Sequence, residues 1–169
     1  MSKLVVGEIE NSAGGNPYSI TLSAEQAHGG GSAIDFENIP AGTSRIIVIL
    51  EGLSLSGTDS MLIQLGDSSG FETSGYVSAG SNQAGSVVTS TAGFMVRAGA
   101  ASEAISGHVL LTLLKSSNFS WIGSNMCTKG DGCVFSGGKK DLSHELTQVR
   151  ITRTGSNTFD AGAAAIQFQ

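Results

Sequence analysis

The chain has 169 residues, 40% of them hydrophobic and 14% charged, with nine Lys and Arg against fourteen Asp and Glu. That length suits one domain, able to bury roughly 70% of its unfolded surface without staples. The formal net charge is −5 and Lys139-Lys140 is the one adjacent basic pair, so the clustered cations that a nucleic-acid binder needs to release counterions are missing.

Residues 1–30 read as an N-terminal arm or docking segment. Leu4, Val5, Val6 and Ile9 form an isolated apolar patch, residues 11–17 are small and polar, and Gly29-Gly30-Gly31 reads as a hinge. The four apolar residues are the candidate docking contacts. The alternative is a first strand of the sheet that follows. The run Leu4-Val5-Val6 is too short for a signal-peptide core and is closed by Glu8, so no secretory leader is expected. The longest aliphatic run, residues 46–50, falls far below the ~20 residues that span a bilayer, and no membrane partner is expected.

Residues 31–169 are expected to form one all-β domain, an antiparallel β-sandwich of jelly-roll-like type. Gly occurs 24 times, and each Gly inside a helix costs about 1 kcal/mol relative to Ala, so long helices have little room. Strand signals, short β-branched or alternating runs closed by Gly, Ser and Asn, fall at 33–37, 43–53, 60–65, 94–97, 108–115, 119–125, 133–136, 149–154 and 163–169. In the last, Ala164, Ile166 and Phe168 point one way. Residues 45–51 are apolar on both faces and are expected to be buried on both sides. Residues 78–92 read as a long polar loop. Residues 141–148 are the best helical candidate, with Leu142 and Leu146 on one face.

Chemistry is sparse. Gly66-Asp67-Ser68-Ser69-Gly70 comes near the sequence around a serine-protease nucleophile but carries Ser at the fourth position, and none of His28, His108 and His144 has an identifiable Asp partner. A tight turn is the simpler reading. Gly137-Gly138-Lys139-Lys140 lacks the earlier Gly and the following Ser or Thr of a phosphate loop. Asp67, Glu72 and Asp131 could hold calcium with backbone carbonyls, but acids beside Gly-Ser turns are usually turn formers. No cofactor is expected. His108 alternates with Leu110, Thr112 and Leu114, which suggests a buried or half-buried histidine. Phe71, Tyr76 and Trp121 could form a sugar-stacking platform or simply pack in the core. Cys127 and Cys133 flank a Gly-Asp-Gly loop; a hairpin there could bring them into a disulfide or leave two free thiols. The acids offer no pair fit for glycoside hydrolysis, and no enzyme is expected.

Residues 34–48, continuing through Leu53-Ser54-Leu55-Ser56-Gly57-Thr58, together with residues 63–76 and 149–162, resemble a module of tail-fibre and other virion proteins of tailed bacteriophages. The likeness covers roughly residues 33–169. Residues 2–11 are similar to the N-termini of phage virion appendage proteins, with Gly7 where an acid is more usual. The resemblance implies a β-sandwich displayed on a virion, commonly as a homotrimer and assembled in the host cytoplasm. The chain has no long shaft of repeats, which suits a capsid decoration (cement) protein or a short head- or tail-fibre subunit. Its expected partners are copies of itself and the major capsid or tail proteins, with Leu4, Val5, Val6 and Ile9 docking on the particle. The alternative is a receptor-binding module that contacts host surface glycan through Phe71, Tyr76 and Trp121.

Overall fold

The computed structural model describes residues 20–27, 29–97, 103–130 and 132–169. Their strands, in chain order, begin with β1 (Thr21–Leu22), β2 (Gln26–Ala27), β3 (Ile34–Phe36), β4 (Arg45–Leu55) and β5 (Met61–Asp67). There follow β6 (Gly70–Phe71), β7 (Val77–Asn82), β8 (Val87–Ser90), β9 (Phe94–Arg97) and β10 (Ile105–Lys115). The last four are β11 (Ser120–Lys129), β12 (Gly132–Asp141), β13 (Gln148–Arg153) and β14 (Phe159–Phe168). The one helical element among the described residues is a 3₁₀ turn at Ser116–Asn118, and no helix is long and apolar enough to cross a membrane.

The strands form two antiparallel sheets packed face to face, a β-sandwich. The large sheet runs β1-β14-β4-β10-β11-β12-β7-β8, with β2 also on the free edge of β14. The small sheet runs β3-β13-β5-β6, with β9 also on β5. Part of the segment assigned to the arm therefore lies on the large sheet, with Thr21 opposite Phe168 and Ala27 opposite Ala163.

Alternation explains how the layers meet. Ile46, Val48 and Leu50 of β4, Val109 and Leu111 of β10, and Ala164 and Ile166 of β14 turn inward. They meet Met61, Ile63 and Leu65 of β5 and Val149 and Ile151 of β13. Each such side chain contributes roughly 1.5–3 kcal/mol by leaving water. Where β9 passes beneath the large sheet the inner residues become small: a Cβ on Gly123 or Gly138 would lie 2.9 Å from the Phe94 ring. At the other end β4 and β14 cross closely at Gly162, whose φ is +93° and whose Cβ would meet the Gly52 carbonyl at 2.5 Å.

Three expectations are corrected here. Residues 78–92 form the β7–β8 hairpin, whose turn is fixed by Asn82 Oδ1 accepting from Ala84 N at 3.0 Å and Ser86 N at 3.3 Å. Residues 141–148 form no helix. Leu142 and Leu146 are buried, but Leu142 N donates to Phe119 O at 3.1 Å and Thr147 N to Gly66 O at 3.0 Å, so those amides are committed to the sheets. The strand buried on both faces is β5, while the outer residues of β4 stay partly open.

Candidate assembly surface

The outer face of the large sheet is built by the residues between the core positions. On β4 these are Arg45, Ile47, Ile49 and Glu51; the arginine and glutamate are exposed and the isoleucines half-buried. The register continues both isoleucines across the sheet. Ile47 lies beside Leu110, then Ser124, Gly137 and Ala79. Ile49 lies beside His108, then Met126, Phe135, Ser81 and Val87. Met126 is 70% exposed, Phe135 45% and Val87 67%, with Ile122 and Val77 also open on this side. His108 belongs to this exposed row and is neither buried nor half-buried as expected, because Val109 and Leu111 take the core-facing positions.

The predicted site residues do not converge. Leu4, Val5, Val6 and Ile9 lie outside the described residues, as do His28 and Asp131. Tyr76 and Trp121 are each 1% exposed and belong to the core, so neither can offer a ring face to a sugar. Tyr76 packs edge-on to Phe94 at 5.3 Å, and its hydroxyl donates to Glu72 O at 3.0 Å while accepting from Leu65 N at 2.7 Å. Phe71 is half-buried, with the Arg150 guanidinium 4.0 Å above its ring. The glycan platform is thus dismantled by the inward turn of two of its three rings.

Cys127 and Cys133 do sit on one hairpin, but both are free thiols. Thr128 faces Cys133 and Cys127 faces Val134, so the two sulfurs leave opposite sides of the sheet. A disulfide needs both side chains on one side, with Cβ atoms ~3.8 Å apart. Cys127 faces the core, where burial pushes its thiol up to about 11 against a weaker opposing bond to His108 O.

Sequence reasoning missed a polar cluster at the end of β5. Asp67, 1% exposed, accepts from Ser69 N at 2.7 Å and lies 3.1 Å from Nδ1 of His144. His144 therefore has an Asp partner, 77 residues away in sequence. Beside it Glu72 accepts from Ser143 N at 2.6 Å and pairs with the Lys140 ammonium, which also lies 5.2 Å from the Tyr76 ring centre. Burial raises both carboxyl groups. Bonds from Ser69 and His144 outweigh it at Asp67, and bonds from Lys140 and Ser143 outweigh it at Glu72, so both end below the usual carboxylate range. No group of three or more His, Cys, Asp or Glu among the described residues is placed to share a metal ion. The cluster ties residues 142–147 onto the β5–β6 hairpin; its Ser68-Ser69 corner is the tight turn expected from sequence.

Compared with protein-family models, curated proteins and solved structures, the chain matches none.

Proposed function

We propose that the chain is a structural protein of a tailed-bacteriophage particle, a capsid decoration (cement) or short head- or tail-fibre subunit that associates with copies of itself and with the particle surface. The observation that carries this reading is the outer face of the large sheet. It crosses six strands with Ile47, Ile49, Leu110, Met126, Phe135 and Val87 on view and few charges between them. Apolar faces of this kind on a small domain mark contacts with other macromolecules. The resemblance of residues 33–169 to phage virion modules supplies the class of particle. The glycan-binding alternative has lost Tyr76 and Trp121 to the core. We read the Asp67–His144 pair as a tie for residues 142–147, not as a catalytic dyad.

Immunogold labelling of purified particles from the phage that encodes the chain tests the reading. Gold at a regular position on heads or tails is the expected result. Intact particles without label, while the lysate contains the protein, would overturn it.

A further inference from the structure

We infer that the outer face of the large sheet is a two-fold contact with a second copy of this chain. The inference rests on the self-association part of the reading above and adds the surface and the geometry.

The face is self-complementary. Along β4 the outward residues read Arg45, Ile47, Ile49, Glu51, which reads with opposite charge from either end. Place a two-fold axis in the interface, perpendicular to the strands and midway between the Ile47 and Ile49 rows. Each strand then faces its own counterpart running the other way. Arg45 of one copy stands over Glu51 of the other, and Ile47 over Ile49. The same axis acts on the remaining strands without further adjustment. Phe135 falls over Gly137, Met126 over Ser124, and Leu110 over His108.

On β11 and β12 the pairs match in shape as well as chemistry. There Met126 and Phe135 form a ridge, and the next row drops to Ser124 and Gly137. Among the described residues, a Cβ on Gly137 would meet one atom, the Gly123 carbonyl oxygen at 3.9 Å, so the space above it is open to a ring. Two aligned sheets stack ~10 Å apart and cross at about 30°, a spacing set by side chains interdigitating in this way. The charges fit too. Neither Arg45 nor Glu51 makes a side-chain hydrogen bond or ion pair among the described residues. Glu25 lines the same hollow as Ile49 and Glu51, so one end of the face is acidic and the other, at Arg45, is basic. A two-fold axis brings each end onto its opposite. Any three-fold contact implied by the phage resemblance would be a separate surface, and the two together would make six copies.

The test is the mass of the full chain by light scattering across concentration, on wild type and three variants, each checked for an unchanged unfolding transition. Wild type is expected at two copies, or at six where a three-fold contact also forms. R45E and E51R should each weaken the two-fold association by about tenfold. The double variant R45E/E51R should recover most of it, because each swapped charge meets its swapped partner. Three results overturn the inference: a single copy at every concentration, three copies that R45E leaves unchanged, or a double variant no better than either single one. In the first case, an M126C thiol that reacts only after residues 1–19 are deleted would give the face to the chain's own N-terminal segment. The two proposals fail separately. A dimer that swaps as expected but is missing from particles sinks the virion reading alone, and a monomer that labels particles sinks the two-fold contact alone.

Discussion

The outward residues of β13 in the small sheet and of β4 in the large one differ sharply, although both strands obey the same alternation. On β13 the outward residues Gln148, Arg150 and Thr152 alternate with the core residues Val149 and Ile151. Each is bonded within the chain. Gln148 Nε2 donates to Asp67 O at 2.7 Å, Arg150 grips both carboxylate oxygens of Asp35 at 2.7 Å, and Thr152 Oγ1 donates to Ser32 O at 3.3 Å. On β4 the outward residues Arg45, Ile47, Ile49 and Glu51 alternate with Ile46, Val48 and Leu50, and no side-chain bond among the described residues holds them. Covering the first face would bury polar groups that already have partners and gain little. Covering the second removes apolar surface from water at roughly 25 cal/mol per Å². A finished face and an unfinished one can thus be told apart by asking where each outward side chain finds its partner.

The sharpest break of that comparison is at Asp35. D35A strips two charge-assisted bonds from a guanidinium left over Phe71, and urea unfolding should show a loss of about 1–2 kcal/mol, the pair being about one-third exposed and therefore screened. M126S on the other face, measured where the chain is a single copy, should change stability by less than about 0.5 kcal/mol. Equal losses at the two sites would erase the distinction.

A smaller effect is expected on the acid side. The carboxyl groups of Asp67 and Glu72 lie below their ordinary values of 3.8 and 4.5 in the folded chain. Their contribution is therefore present above those values and lost as pH falls through the lower folded ones. The double variant D67N/E72Q should lose stability near neutral pH and show a flatter decline below about pH 4.5. A decline as steep as that of wild type would show that residues 142–147 are not held by these two groups.

The smallest effect is chemical and compares the two sides of one hairpin. At concentrations where the chain is a single copy, a thiol reagent should modify Cys133 in the native protein and spare Cys127, which is 1% exposed, until the chain unfolds. Two equivalents taken up by the native protein would mean that the β11–β12 register is wrong.

The layers were readable because period-two patterns carry the sign of each face. Residues 94–97 were placed to the residue, and Ala164, Ile166 and Phe168 share one side, as expected. The β7–β8 hairpin was not readable, because its inward positions are Ser78 and Gly80, small enough for β9 to approach and too polar to register as a stripe. The double-sided apolar character of residues 45–51 was visible, but composition alone could not say whether the second side met another layer of the same chain or faced outward. The Asp67–His144 and Glu72–Lys140 pairs join residues 77 and 68 positions apart, and nothing local announces such contacts.

The place of β14 in the large sheet has a consequence for the birth of the molecule. It is the last described strand to leave the ribosome, yet it lies between β4 and the pair β1 and β2, which among the described strands hydrogen-bond to β14 alone. Until those ten residues emerge, β4 has an open edge and the earliest described strands have nowhere to bind. That edge of the large sheet therefore closes after the other described strands are made. It waits for its final clasp, with an apolar seam of Ile46, Val48 and Leu50 half covered in the meantime.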